Sequence, residues 1–347
     1  MGLQSAAWLG ALAALIVSCG LSAVLAWCGP VDRPRARGMH AAPTPTAGGL
    51  ALLGGTAAAL VAGLHAMRAS GGVDLAFTGA VAVALAHGLL GAVDDVLDLG
   101  AKGKLMVQLV LALAFAVLVH PARIPLSATF GLELPWPVAV GGVALWMIVT
   151  VNAVNFMDGS NGLIAGALAI VLGGLGLRAL NGADATLPVV LLGAAGACAG
   201  FLPWNYPTAR LFQGDAGALF LGALAAAIAV VAAGPGRMAG ALNLFTAPIA
   251  LTPLLTDVLL TLLGRARRKE RLFDAHKQHL YQRWLAAHAG DHAALARRVW
   301  LIVGAYTAAA ISVARGDPLS AALVFGVGVA GAVAGWLWLD RRLTRSG

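Results

Sequence analysis

Charge is scarce in this chain of 347 residues: Asp, Glu, Lys and Arg together make up only 11%. A soluble globular domain carries about 25%. A chain of this size would have too little polar surface to cover itself in water, which excludes a water-soluble enzyme or binding module. Aromatic residues are also few, at 6%. The apolar runs are long and unbroken rather than alternating, which excludes an outer-membrane barrel. The three cysteines, Cys19, Cys28 and Cys198, lie in or beside apolar runs without metal-like spacing. Neither a disulfide framework nor a zinc site is expected. The first 27 residues carry no charge, so a signal peptide with a basic leader is not expected. The 45 glycines and 15 prolines sit inside apolar runs rather than polar tracts, which excludes disorder.

What is present is apolar: 60% of residues are hydrophobic and the mean hydropathy is +0.85. The expectation is an all-α polytopic transmembrane helix bundle, a single integral membrane domain over 1–347. Eleven runs have the length and composition of spans: about 5–28, 46–66, 75–93, 105–120, 137–156, 162–178, 185–203, 216–233, 239–263, 296–314 and 319–339. The fourth, sixth and eighth are short, so ten is the alternative count. The ninth carries Pro248, Pro253 and Asp257 and is expected to be broken or kinked.

An outside N-terminus and a cytoplasmic C-terminus put 18 of the 23 Lys and Arg inside, leaving Arg68, Arg123, Arg178, Arg237 and Arg315 outside. That asymmetry fixes the orientation. It also accounts for the net charge of +8 without a nucleic-acid partner.

Nearly all polar residues then fall on the cytoplasmic side. Asp94 and Asp95 end the third span, and paired carboxylates at the edge of hydrocarbon are costly enough to suggest function. Asn152, Asn155, Asp158 and Asn161 recur every three residues. Gly159 and Gly162 allow the chain to leave the helix and keep these four groups convergent. Their oxygens suit Mg²⁺ or Mn²⁺, and their amides suit a nucleotide. Asp215 lies between Gly214 and Gly217 at the start of the eighth span, where a helix N-terminus favours anions. Phe212, taken alone, reads as packing. The stretch 264–298 holds nine Lys and Arg together with His276, His279, His288 and His292, a basic cytoplasmic loop with a candidate phosphate-binding pair at 276 and 279. Walker, nucleophile-elbow, dinucleotide and H-E-x-x-H motifs are absent.

In order and spacing these loops resemble the polyprenyl-phosphate N-acetylhexosamine-1-phosphate transferases, the superfamily of glycosyl transferase family 4 that includes phospho-N-acetylmuramoyl-pentapeptide transferase. The resemblance runs from about 32 to 283. It rests on D-x-P-x-x-R-x-x-H-x-x-P-T-P-x-x-G-G (Asp32 to Gly49), the Asp94–Asp95 pair with a following basic residue and Gln108, N-x-x-N-x-x-D-G-x-[DN]-G, W-N-x-P-x-A-x-x-F-x-G-D-x-G, and a His motif.

The resemblance implies Mg²⁺ (Mn²⁺ as the alternative) at Asp215 and Asn155, with these two and the essential pair Asp94 and Asp95 as the catalytic set. It implies uridine contacts from Asn205, Phe212, Asn161 and Asp158, with Phe212 stacked on uracil. His276, His279, Lys102 or Lys104, Arg37 and His40 fall at donor phosphates, and Asn152 and Gly214 support the site. The reaction implied is transfer of an N-acetylated amino-sugar-1-phosphate from a UDP-N-acetylhexosamine, or its 6-deoxy analogue, to undecaprenyl phosphate. UMP leaves, and a lipid-linked O-antigen, surface polysaccharide or other envelope polymer begins. A homodimer in the bacterial inner membrane, with the site on the cytoplasmic face, is compatible with it. The form AHKQHLYQRW at 275–284 departs from the H-x-H-H cluster and is similar to the O-antigen-initiating branch, which uses sugars such as N-acetylfucosamine or N-acetylquinovosamine; N-acetylglucosamine stays open. The competing class is a transporter with a cytoplasmic anion site, for which Asp257 and His87 are the mid-span ionisable candidates.

Overall fold

The protein is described by a computed structural model covering residues 2–32, 43–69, 71, 73–121, 123–125, 130–182, 185–233, 242–272, 274 and 276–346. Arg37 and His40 lie outside these residues. The chain runs through α1 (Leu3–Cys28), β1 (Val31–Asp32), β2 (Thr44–Pro45), α2 (Gly48–Ala69), α3 (Leu75–Leu97) and α4 (Ala101–Leu118). It continues through β3 (Arg123–Pro125), β4 (Gly131–Glu133), α5 (Trp136–Met157), α6 (Leu163–Ala179), α7 (Thr186–Asn205) and α8 (Gly214–Ala233). The last third holds α9 (Thr246–Arg267), α10 (Leu280–Ala287), α11 (His292–Val313) and α12 (Pro318–Ser346).

The chain is a polytopic helical membrane bundle. Among the described residues ten helices are long and apolar enough to cross a bilayer, and α6 is a shorter apolar helix. These eleven correspond one for one to the eleven apolar runs. The two short antiparallel ribbons, Val31 opposite Pro45 and Arg123 opposite Glu133, are the only sheet among the described residues.

The helices are apolar on most faces, so position rather than amphipathicity sorts them. Almost every residue of α8 is buried, whereas the most apolar stretch of α12 buries none. α8 packs on α3, α5 and α2; α1 packs on α7 and α2; α9 packs on α11, α12 and α5. Small residues permit the closest approaches, as membrane helix packing requires. A Cβ on Gly91 of α3 would run into the backbone of Asp215 and Ala216, and one on Gly49 would meet the backbone nitrogen of Gly217. The start of α8 is therefore wedged against α2 and α3 with no side chain between.

Two expectations are corrected. The ninth span is not broken, because α9 is one continuous helix. Pro248 falls in its first turn, where no intrahelical N–H is needed, and only Pro253 is interior; the Thr252 hydroxyl donates to the Pro248 carbonyl at 2.8 Å. The basic stretch 264–298 is not a plain loop, because it contains the end of α9, all of α10 and the beginning of α11.

Overpacking at a backbone-to-backbone contact costs about 1–3 kcal/mol. Gly91→Ala is expected to lower the thermal unfolding temperature of the detergent-purified protein and to reduce turnover, because α3 must move away from Asp215. An unchanged melting temperature would show that the α3–α8 contact carries no weight.

Candidate functional site

Successive helices run in opposite directions, so one end of the bundle gathers the ends of α3, α5, α7 and α9 with the starts of α2, α4, α6 and α8. Contacts between those ends define the site. The last turn of α3 presents Asp94 and Asp95 in different directions, as adjacent helical residues must be. Asp95 accepts hydrogen bonds from the backbone N–H groups of Asp215 (2.9 Å) and Ala216 (3.1 Å). These are unpaired donors of the first turn of α8, so Asp95 caps that helix from across the bundle. Asp94 accepts from the Leu99 N–H at 2.9 Å and from the Lys104 ammonium at 2.8 Å.

Lys104, at the start of α4, also bonds the carboxylate of Asp215, whose second oxygen accepts from the Asn155 amide at 2.9 Å. One ammonium thus bridges two carboxylates from helices distant in sequence. Lys102 is exposed and takes no part in that bridge, which assigns the basic position after the acid pair to Lys104.

The Asn–Asp series does leave the helix at Asp158, which caps α5, and Asn155 and Asp158 meet at Asp215 while Asn152 and Asn161 turn away. Asn152 donates to Gln108 on α4 at 2.7 Å, Asn155 to Asp215, and Asn161 to the Pro207 carbonyl at 3.3 Å. Asp158 lies beside Gln213, Asp215 and Asp95. Burial, reinforced by the two carboxylates, pushes Asp158 well above the usual carboxylate range and favours its neutral form. The expected convergence is therefore partial: Asn152 is still on the continuous helix, one turn below, and faces α4.

Asn205, at the end of α7, is nearly buried. Its amide oxygen accepts from the Gly162 N–H at 2.6 Å and its amide nitrogen donates to the Leu211 carbonyl at 2.9 Å. It therefore clamps the start of α6 to the loop before α8. Phe212 is half-buried in that loop; its N–H donates to the Pro45 carbonyl and its carbonyl accepts from the Gly48 N–H, both at 2.8 Å. Gly214, with φ of 66°, occupies the left-handed region and places Asp215 at the first turn of α8.

The histidine segment joins this end through α5. The His279 ring lies 6.0 Å from that of Phe156 and 4.9 Å from that of His276. The Tyr281 hydroxyl donates to the Phe156 carbonyl at 3.0 Å. Both imidazoles are pushed down to about 4, by burial first and then by neighbouring positive charge: His279 and Arg265 for His276, and Arg265 for His279. They are neutral at physiological pH. His276 and His279 are thus brought to the end of α5 beside Phe156, His292 holds the loop that follows it, and only His288 serves elsewhere. The His288 ring stacks on Trp284, and the His292 ring nitrogen pairs with the Ser160 hydroxyl at 2.9 Å.

One organising residue escaped the motif reading. Asp257, inside α9, accepts from the backbone N–H groups of Leu280 (2.8 Å) and Tyr281 (3.1 Å), from Trp336 (3.2 Å) and from Thr261 (3.2 Å). It is the cap of α10. In sequence it looked like an isolated mid-span acid, and no local signal pointed 23 residues ahead. His87, the other mid-span candidate, is buried with its ring nitrogen paired to the Val83 carbonyl at 2.8 Å within its own helix.

Among the described residues no three His, Cys, Asp or Glu side chains are grouped to hold a metal ion. Asp215 and Asn155 still offer two adjacent hard-oxygen groups. Mg²⁺ is commonly held by one or two carboxylates with the remaining positions filled by substrate phosphate and water. The donor set therefore fits a substrate-completed Mg²⁺ site and not a closed protein cage.

The family model described as glycosyl transferase family 4 matches residues 77–233, which hold the whole carboxylate cluster. Decaprenyl-phosphate N-acetylglucosaminephosphotransferase of Mycolicibacterium smegmatis is 34% identical over 336 residues, 88% of this chain and 80% of the relative. The chain belongs to glycosyl transferase family 4. Phospho-N-acetylmuramoyl-pentapeptide-transferase of Kocuria rhizophila is 31% identical, covering 83% of the chain and 86% of that protein. A probable undecaprenyl-phosphate N-acetylglucosaminyl 1-phosphate transferase of Bacillus subtilis is 27% identical, covering 79% and 75%. This family 4 member is thus a membrane transferase related to the polyprenyl-phosphate N-acetylhexosamine-1-phosphate transferases, and the transporter reading is not supported.

Histidines held neutral have a measurable cost. Unfolded imidazoles titrate near 6.5 and these titrate folded at about 4. As pH falls from about 6.5 toward 4 the unfolded chain gains protons that the folded chain refuses, so stability falls over that window. Thermal unfolding between pH 7.5 and 5 should show this drop, and His276→Gln with His279→Gln should flatten it. An equal drop in the double variant would assign the effect to other groups.

Proposed function

We propose that this protein transfers N-acetylglucosamine-1-phosphate from UDP-N-acetylglucosamine to a polyprenyl phosphate, undecaprenyl phosphate in the first instance. The reaction releases UMP and starts a lipid-linked cell-envelope glycan on the cytoplasmic face of the bacterial inner membrane. The observation that carries this reading is the bridge of Lys104 between Asp94 and Asp215, with Asn155 on the second oxygen of Asp215. The sugar is the one named for the Mycolicibacterium and Bacillus relatives. The orientation rests on the 18-to-5 division of Lys and Arg.

An acceptor phosphate oxygen attacks the sugar-bearing phosphorus of the donor, and the bond to the uridine-side phosphate breaks. Two anions must meet, so charge neutralisation is the main task. Mg²⁺ held at Asp215 and Asn155, with Mn²⁺ as the alternative, supplies positive charge to the donor diphosphate when bound. Lys104 adds a second cation at the same place. His276 and His279 donate hydrogen bonds to phosphate oxygens as neutral imidazoles.

Of the acid pair, Asp94 orients the acceptor phosphate, because it is joined to Lys104 whereas both oxygens of Asp95 accept from the backbone of α8. Asp158 in its neutral form keeps one negative charge away from the diphosphate. Phe212 stacks on uracil, with Asn161 beside it and Asn205 holding the loop that carries Phe212. Asn152 and Gly214 fix the backbone around these groups.

Purified protein supplied with undecaprenyl or decaprenyl phosphate and a panel of UDP-sugars, including 6-deoxy donors and the muramoyl-pentapeptide, tests the reading. UMP release with a lipid product of the mass of N-acetylglucosamine diphosphate lipid is expected, and Asp215→Asn should abolish it with the unfolding temperature retained. A 6-deoxy product instead would move the donor to the O-antigen-type branch, and full activity of the variant would remove Asp215 from the site. Separately, Phe212→Ala should weaken UDP binding in calorimetry by roughly tenfold, the scale of one base–aromatic stack. Equal affinity would return Phe212 to packing.

A further inference from the structure

Outside the carboxylate cluster, the described residues line a half-open cavity of about 600 Å³ between the last turns of α9, the segment leading into α10, and the end of α12. Its walls divide by chemistry. Leu260, Leu263 and Leu337 make the lower part, and Leu263 and Leu337 remain exposed there. Arg267, Arg268 and Arg283 line the upper part with Asp340 as the only acid. Arg283 is occupied, since it pairs with Asp340 and donates to Thr344 at 3.0 Å. Arg268 is shared between Glu270 at 2.6 Å and Gln278 at 2.8 Å. Arg267 is exposed and makes no ion pair among the described residues. The cavity therefore has an excess of guanidinium above a floor of unpaired leucine, at the end of two membrane-spanning helices.

We infer that this cavity binds an anionic glycerophospholipid of the surrounding membrane, its phosphate on Arg267 and Arg268 and an acyl chain against Leu260, Leu263 and Leu337. Guanidinium is the side chain best suited to phosphodiester oxygens, and basic residues just beyond a span meet anionic headgroups. A free anion would leave the leucine floor wet. None of Asp94, Asp95, Lys104, Asn155 or Asp215 lines the cavity, so it is distinct from the place where the acceptor must react.

Its walls nevertheless reach the histidine segment by two routes. Gln278, on the wall, precedes His279. Trp336, also on the wall, donates to Asp257, and Asp257 caps α10 through Leu280 and Tyr281. A lipid that fills the space steadies the segment carrying His276 and His279.

The test uses the full chain and phosphatidylglycerol as probe. Native mass spectrometry after exchange into a stringent detergent should find one retained phosphatidylglycerol on the wild type. Retention should fall by roughly tenfold, about 1.4 kcal/mol, in Arg267→Gln, which alters only an exposed charge, and in Leu337→Trp, which fills the cavity. In bilayer discs, replacing phosphatidylcholine by phosphatidylglycerol should raise turnover of the wild type and not of Arg267→Gln. Wild-type retention in both variants would overturn the inference. So would displacement of the lipid by polyprenyl phosphate, which would make the cavity an acceptor site, or by millimolar inorganic phosphate, which would make it a free-anion site.

Discussion

The cap that Asp95 places on α8 is the contact on which the active end is built. A carboxylate at the close of α3 meets two unpaired N–H groups at the opening of α8, whose partial positive charge favours an acceptor there. This fixes the position of Asp215 without using the Asp215 side chain. That side chain is then free to bond Lys104 and Asn155. Remove the cap, and two buried donors lose their acceptor while three carboxylates lose their spacing. The bare glycines Gly91 and Gly49 follow from the same requirement, since hydrogen bonds between helix ends form only where backbones nearly touch.

The same economy runs through the rest of the site. Asn205 is spent on joining two loops, Asn152 on reaching Gln108, and Asp257 on starting α10. Each is a polar residue at the margin of an apolar bundle, where an unmet hydrogen bond is expensive. What remains is a small set bonded chiefly to one another: Asp94, Lys104, Asp215 and Asn155, with the two neutral histidines nearby. The function proposed for this glycosyl transferase family 4 member rests on these mutually bonded groups, which substrate could re-pair, and not on those that join helix to helix.

Much of this was legible in the amino-acid order. Apolar length alone gave the eleven helices, because in a bilayer a span must be continuous and of bounded length. The acid pair, Asp215 and the histidines stood out because charge is rare here and each instance has to be explained. Partnership was not legible. Nothing in the sequence distinguishes Asp95 from Asp94; only the approach of α8 does. The spacing of Asn152, Asn155, Asp158 and Asn161 suggested one meeting point, but helix continuation at the first residue and helix exit after the third send Asn152 and Asn161 to other neighbours. Proline content misled at α9, where Pro248 lies in the tolerant first turn, and the basic run hid the short helix α10.

The cap at Asp257 also sets a depth. Asp257 lies ten residues before the end of α9, which at 1.5 Å per residue is about 15 Å back along its axis. The chain leaves α9 at Arg267 and must descend that far before α10 can begin. His279 is thus carried back alongside the helix it followed, like a flap folded down onto the page. On the function proposed above, a lipid phosphate anchored by its isoprenoid tail cannot rise far from the hydrocarbon, so the water-soluble nucleotide would do the travelling. The fold-back would then lower the meeting place toward the slower-moving partner.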